Sequence, residues 1–186
     1  GLLFPLAYQR QQRFVVGNHA YGRPQFQFDA GPGAYYQIFL SAAGCFLAGA
    51  LLVTMLAFLF GALLGGGAVS ALTGGLFVLV YLAVFAGFTA AASNLLYNSS
   101  SLEGHRFLAR WNVFSYGRLV VENIVLTVIT LGLFIPWAKV RLARYKAKHT
   151  AVLAVGSLDA FVEDQRQRES SVAEGVTDLF DVDIGL

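Results

Sequence analysis

The sequence has little charge and almost no cysteine. Only 13% of its 186 residues are charged, 56% are hydrophobic, and the mean hydropathy is +0.61. A soluble domain of this length needs a much more polar surface, so these values exclude an ordinary water-soluble globular protein. Cys45 is the single cysteine and stands inside an apolar run. It cannot form an intrachain disulfide, and it is typical of a small packing residue rather than a redox centre.

Motifs for catalysis and for cofactors are missing as well. His19, His105 and His149 lie in separate segments, and none of them has a partner three or four residues away with metal-ligand spacing. The sequence also has no glycine-rich phosphate loop. We therefore predict that the protein uses no metal or other cofactor, binds no nucleic acid, and is not an enzyme.

Two long uncharged runs are present instead. No residue from Tyr36 to Leu64 carries a formal charge, and this run is longer than the roughly 20 residues that span a bilayer. A second uncharged run extends from Ser70 to Ala92, and "GGGAVS" separates the two. Glycines sustain a helix poorly and allow a tight reversal of the chain. The two runs predict a transmembrane helical hairpin within residues 35–92.

A third apolar stretch, Leu119 to Ala138, predicts a third and shorter membrane helix. Glu122 and Asn123 lie in its first turn. An ionisable group in an apolar segment is a functional candidate. Two interpretations stay open, because Glu122 is either an interfacial carboxylate paired with Arg118 on the same helix or part of a polar site between helices. Proline interrupts helices, so we expect Pro136 to end this one.

Two segments of the chain are near copies of each other. "FPLAYQRQQRFVVGNH" begins at Phe4 and "IPWAKVRLARYKAKHT" begins at Ile135, and without a gap the prolines and both arginine pairs align. This spacing predicts an internal repeat, with Gly1 to Phe4 as the remnant of a preceding helix and the chain as the C-terminal portion of a longer protein. Each copy places two arginines on one helix face, which suits lipid phosphates. The predicted headgroup contacts are Arg10, Arg13, Trp137, Lys139, Arg141 and Arg144.

Three motifs resemble the YjgN family of bacterial inner-membrane proteins, whose function is not established. They are "RQQRFVVGNHAYGRPQFQFDAG", "YNSSSLEGHRF" and "TLGLFIPWAKVRLARY". The resemblance implies a pattern in which asparagine, glycine and phenylalanine follow one another after a basic or apolar helix. Physically, such a pattern reverses the chain at a glycine of positive φ and continues into an interfacial strand or aromatic belt. The matching residues are Asn18, Gly22, Phe26, Asn98, Gly104 and Phe107.

The chain changes character after Thr150. Residues 151–186 hold eight of the eleven acidic residues, so this tail is aqueous. Its end, "DLFDVDIGL", sets apolar side chains among aspartates. Exposed apolar side chains usually have a binding surface, so we predict that they dock on a protein partner or on the chain's own basic loops. These residues are Leu179, Phe180, Val182, Ile184 and Leu186. The alternative is a solvated end that its charge keeps soluble.

These elements predict an all-α membrane protein, multi-pass in the bacterial inner membrane. The expected segments are a basic interfacial segment (1–34), the hairpin (35–92), a polar and basic segment (93–118), the third helix (119–138), a second basic segment (139–150) and the tail (151–186). If the third helix crosses fully, six cations face five across the bilayer, and charge counting cannot orient the protein. If it dips and returns, all basic segments share the cytoplasmic face.

The leading functional hypothesis is a non-enzymatic protein that organises a protein partner or anionic lipids in the bilayer. Two alternatives remain. One is a small-solute transporter or channel component, for which the hairpin offers few polar residues. The other is a membrane-embedded enzyme that uses Glu122 or a histidine as its acid or base.

Overall fold

The computed structural model describes residues 1–21, 24–64, 66–156, 162–163 and 167. Gly22 and the predicted docking residues Leu179, Phe180, Val182, Ile184 and Leu186 lie outside them. The order of elements is α1 (Phe4–Gly17), β1 (Phe26–Phe28), α2 (Pro32–Leu64), α3 (Gly66–Asn98), β2 (Ser100–Leu102), β3 (His105–Ala109), α4 (Val113–Ile129), α5 (Ile135–Lys148) and β4 (Thr150–Leu153).

Helices α2 and α3 form the predicted hairpin. Residues Pro32–Gly61 and Gly67–Asn98 are strongly apolar, and no charged residue lies between Asp29 and Glu103. Large apolar side chains such as Phe58 point outward, with 89% of its surface exposed. A helix that is apolar all round needs an apolar surrounding. Both helices are long and apolar enough to cross a membrane.

A small sheet corrects the prediction of an all-α fold. Strands β1, β2, β3 and β4 form one antiparallel sheet in that order. A two-residue turn joins β2 to β3, with φ of 48° at Glu103 and 86° at Gly104, as in the turns that favour β-hairpins. The positive φ predicted for Gly104 is thus confirmed. The chain also forms strands where aromatic belts or strands were expected, and β4 was not anticipated.

The predicted third membrane helix is wrong as a single helix. Helix α4 ends at Ile129, Leu131 and Gly132 have φ of 50° and 93°, and the amide of Gly132 donates to the carbonyl of Thr127 at 2.8 Å. This is a glycine-based helix end. Pro136 lies in the first turn of α5, where the missing amide costs no hydrogen bond. The proline therefore begins a helix and does not end one.

Helix α5 packs antiparallel on α4 and returns the chain to the sheet. Near the turn, Asn123 approaches Ala138, and at the other end the hydroxyl of Tyr145 contacts Asn112. Helix α1 packs along the start of α2 in the same way, because the hydroxyl of Tyr36 donates to the carbonyl of Leu2. The ends of α1, α3 and α5 therefore meet at the sheet. We call this the sheet end of the hairpin and the opposite side the far end.

Candidate membrane interface at the sheet end

Two asparagines of α3 hold the end of β3 and the chain that follows it. Asn98 accepts a hydrogen bond from the amide of Ala109 at 2.7 Å and donates to its carbonyl at 3.2 Å. Asn94 binds the amide and carbonyl of Trp111 at 2.8 and 3.1 Å. Asn94 and Asn98 are separated by four helical residues, a rise of about 6 Å, and their partners are separated by two extended residues, about 6.6 Å. The two distances match, so both asparagines reach their partners. Sequence reasoning singled out Asn98 as a loop residue and missed Asn94.

An aromatic cluster joins the sheet end to α4 and α5. The ring of Trp111 lies 5.6 Å from that of Tyr116 and 6.0 Å from that of Tyr145, and Lys146 places its amino group 5.7 Å from the Trp111 ring. The hydroxyls of Tyr145 and Ser115 are 2.8 Å apart. Burial, and secondarily the neighbouring Tyr145, raises the pKa of Tyr116 above its ordinary value. These contacts fix the return of α5 to the sheet.

A polar cluster connects α4 to α5 farther from the sheet. Glu122 binds Arg118 at 2.7 Å and Arg141 at 2.6 Å, and Arg141 also donates to Asn123 at 2.9 Å. Hydrogen bonds from Arg118, and then from Arg141, lower the pKa of the Glu122 carboxyl. The structure thus brings Glu122 and Asn123 together with an arginine that sequence reasoning had directed toward lipid. The contact considered between Glu122 and Arg118 is present too.

The other predicted headgroup residues are exposed. Arg10 and Arg13 lie on α1, and Trp137, Lys139 and Arg144 on α5. None of these cations forms an ion pair with another described residue. Further cations at the same end were not among the predicted contacts, although counting charges on one side of the hairpin would have found them. They are Arg106, Arg110, Arg118, Lys146 and Lys148.

The turn between α4 and α5 is an exposed apolar tip. Leu131 is 94% exposed and Leu133 is 79% exposed, and Ile129 and Trp137 are exposed beside them. The start of α1 is similar, with Leu2 largely exposed. Helix α5 therefore runs from an apolar exposed beginning toward a basic end, and α1 runs from an apolar exposed beginning to Arg10 and Arg13 in its middle. This is the polarity expected of a helix that enters a bilayer from its surface.

The residues that the family pattern implied are partly brought together. Asn18 caps the C-terminal end of α1, and its side-chain amide donates to the carbonyl of Phe14 at 2.7 Å. Asn98 makes the longer-range contact with Ala109. The rings of Phe26 and Phe107 lie 5.8 Å apart across the sheet. The two aromatic positions of the pattern thus contact each other.

The three histidines stay apart in the structure. His105 is buried in β3, and its Nδ1 accepts a hydrogen bond from the amide of Val155 at 3.0 Å. His149 directs Nδ1 to the carbonyl of Tyr145 at 2.9 Å, and His19 directs Nδ1 to that of Val15. Within the described part of the chain, no group of three or more metal-binding side chains is present.

Comparison with known protein families identifies a relationship that covers most of the chain. A family model described as "Bacterial protein of unknown function (DUF898)" matches residues 1–179. No curated protein and no solved structure matches the chain. The resemblance to the YjgN-like proteins is thereby confirmed. This chain belongs to the DUF898 family of bacterial proteins, the YjgN-like family.

Proposed function

We propose that this chain is a multi-pass protein of the bacterial inner membrane that acts without catalysis, by binding anionic lipids and organising a protein partner at its cytoplasmic face. The observation that carries the proposal is the reversal between α4 and α5. Because α5 returns to the sheet, the segments that carry the basic residues all connect to the hairpin at its sheet end. These segments are α1, β3, α4 and α5.

Charge distribution supports this orientation. All described lysines and arginines lie outside α2 and α3, and the far end of the hairpin carries no charged residue. Short loops rich in lysine and arginine stay in the cytoplasm. The uneven distribution supports a cytoplasmic sheet end in this proposal, and the near-even count that a full crossing by residues 119–138 implied does not arise.

Helices α4 and α5 enter only one leaflet in this proposal. Helix α4 has 17 residues, about 25 Å of rise, which is short of a hydrocarbon core of roughly 30 Å. The exposed tip at Leu131 and Leu133 lies in the acyl chains, and Lys139 and Arg144 lie nearer the headgroups. The backbone groups at the turn are partly satisfied by the Gly132 and Thr130 contacts, as apolar surroundings require.

The proposal favours a non-enzymatic role because of the state of Glu122. A carboxyl acts best as a general acid or base when its pKa lies near the working pH, whereas Glu122 is bound by two guanidinium groups that lower its pKa. A transporter is favoured less, since the groove of about 480 Å³ between α2 and α3 is apolar apart from Ser41 and Cys45.

Helices α1 and α5 support the proposed internal repeat. Each has 14 residues, begins with proline in its first turn and ends with a side chain bonded to the carbonyl four residues earlier: Asn18 to Phe14 and His149 to Tyr145. These residues occupy equivalent positions in the two aligned segments. We infer that α1 and α5 are two copies of one lipid-facing unit.

Labelling of introduced cysteines tests the orientation. In a Cys45→Ala background, Ala68→Cys marks the far end and Val155→Cys marks the sheet end; both positions are exposed. A membrane-impermeant maleimide added to spheroplasts should label Ala68→Cys at once and Val155→Cys only after permeabilisation. Labelling of both positions in intact spheroplasts would contradict the fold-back topology.

The organising role depends on the tail. Deletion of Thr177 to Leu186 should leave the melting temperature unchanged and abolish co-purification of a crosslinked partner from native membranes. If the deletion lowers the melting temperature instead, the tail docks on its own chain. If neither quantity changes, the organising part of the proposal fails while the lipid-binding part stands.

A further inference from the structure

A polar pocket lies where the hairpin meets the sheet. Its volume is about 480 Å³, and its lining includes Gln27, Asp29, Ser99, Ser101 and Arg106. Asp29 comes just before α2 begins, and Ser99 follows the last residue of α3. If α2 and α3 cross the bilayer, a pocket at this position is level with the lipid headgroups.

The sheet register sets the side chains of this pocket in a row. Gln27 pairs with Ser101, and Ser101 pairs with Arg106. Directly opposite residues on neighbouring strands lie on the same face, with Cβ atoms about 4.5–5.5 Å apart. An amide, a hydroxyl and a guanidinium therefore stand side by side on the face opposite to the buried Phe28 and Leu102.

Two opposite charges in this pocket have no ion-pair partner among the residues that the structure describes. Asp29 and Arg106 are both exposed, and neither forms an ion pair with any residue that the structure describes. They line the same pocket without contacting each other within ion-pair distance. A ligand with one negative and one positive group fits between them.

We propose that this pocket binds the zwitterionic headgroup of a lipid that carries a phosphodiester and a primary ammonium, as phosphatidylethanolamine does. Arg106 and Ser101 bind the phosphate oxygens, and Asp29 accepts hydrogen bonds from the ammonium. Arginine and hydroxyl groups suit phosphate, and a carboxylate accepts only from a donor. This inference rests on the proposed insertion of α2 and α3 and adds a second lipid class to the anionic one.

The chemistry selects among phospholipids. A trimethylammonium headgroup carries the same charge but has no N–H to donate to Asp29. An anionic headgroup without an ammonium leaves the Asp29 carboxylate facing negative charge. The pocket should therefore prefer the primary ammonium lipid over both.

Native mass spectrometry of the full chain in detergent tests this preference. The protein is equilibrated with equal amounts of phosphatidylethanolamine and phosphatidylcholine that have identical acyl chains. The wild type should retain the ethanolamine lipid about threefold over the choline lipid, a ratio within the range expected for one hydrogen bond. Asp29→Ala, which removes the acceptor, should bring the ratio to about one, whereas Glu103→Ala, which removes a carboxylate outside the pocket lining, should keep it at about three.

A second pair of variants tests the phosphate contact. Arg106→Gln should lower retention of both lipids, and Arg110→Gln, at the other end of the same strand segment and outside the lining, should not. A preserved lipid ratio in Asp29→Ala, or equal retention in Arg106→Gln and Arg110→Gln, would overturn the proposal.

Soluble phosphoethanolamine distinguishes a lipid site from a site for a free metabolite. If millimolar phosphoethanolamine displaces the bound lipid, the pocket recognises a soluble zwitterion and the lipid assignment is wrong. If it does not, the lipid assignment stands. Failure of the proposed membrane insertion can be distinguished from failure of the lipid site, because the cysteine labelling tests the insertion without any added lipid.

Discussion

Glu122 of α4 lies 2.6 Å from Arg141 of α5, across a turn that separates them by 19 positions in sequence. Arg118 binds the other carboxylate oxygen at 2.7 Å, but its side chain is 83% exposed and that of Arg141 only 34%. The pair with Arg141 therefore joins two helices, while the pair with Arg118 stays within one. The contact therefore holds α5 against α4 after the turn between them.

The Glu122 contact should depend on pH. Its pKa is lowered from an ordinary value of 4.5 by Arg118 and Arg141. A carboxyl with a depressed folded pKa stabilises the fold above its unfolded pKa, and this stabilisation is lost as pH falls through the folded value. The melting temperature of Glu122→Gln in detergent should therefore lie below that of the wild type at pH 7, and the difference should shrink as pH falls below 4.5.

A matched variant isolates that effect. Glu103 lies in the β2–β3 turn and forms no ion pair with a described residue, so Glu103→Gln should show no pH-dependent difference from the wild type. A gap between Glu122→Gln and wild type that keeps its full size down to pH 3 would contradict the assigned role of the carboxylate.

Substitutions of Arg141 and Arg144 should distinguish the role of α5 in helix packing from its role in lipid binding. Each substitution by glutamine removes one charge from α5, but only Arg144 is exposed and without an ion-pair partner among the described residues. A cation near an anionic surface contributes about 1 kcal/mol. Arg144→Gln should weaken phosphatidylglycerol binding to the solubilised protein about fivefold, less so at high salt, with the melting temperature unchanged.

Arg141→Gln should show the opposite behaviour. Its melting temperature should fall, because Glu122 and Asn123 lose their partner on α5, and its lipid binding should change less than that of Arg144→Gln. Equal loss of lipid binding in the two variants would mean that both arginines serve only as surface charge.

The sequence predicted the features that local patterns determine. Uncharged runs longer than a bilayer indicated α2 and α3, and Gly104 indicated a reversal with positive φ. The run from Leu119 to Ala138 was predicted as one helix because it remains apolar through the turn. Leu131 and Gly132 end one helix, and Pro136 starts the next, but hydropathy alone does not show where a helix ends or begins.

The sequence predicted individual residues of the candidate site but not the contacts between them. Glu122 and Asn123 stood out because they are polar within an apolar run. Their partner Arg141 was assigned to lipid, because only the reversal at Gly132 brings it to them. The pairing of Asn94 and Asn98 with a distant backbone, like the register of the sheet, depends on contacts between segments that no local spacing encodes.

Asn98 should be important for stability. It satisfies the amide and carbonyl of Ala109, a residue that is only 2% exposed. Leaving a buried backbone group without a partner costs about 1–3 kcal/mol. Asn98→Ala should lower the free energy of unfolding by about that amount, and Asn98→Asp, which keeps the acceptor for the Ala109 amide, should lower it less. An unchanged stability in Asn98→Ala would show that water replaces both contacts.

Gly49 should be required where α2 approaches α3. A Cβ added at this position would lie 2.7 Å from Cγ1 and 3.2 Å from Cγ2 of Val80, whereas one added at Gly44 on the same helix meets nothing within 4 Å. Overpacking of a close contact costs typically about 1–3 kcal/mol, and alanine favours a helix over glycine. Gly49→Ala should therefore lower the melting temperature in detergent, and Gly44→Ala should keep or raise it. Since Val80 supplies the nearest atoms, Val80→Ala should restore the stability of Gly49→Ala; identical melting temperatures for Gly49→Ala and Gly44→Ala would show that the two helices do not approach closely there.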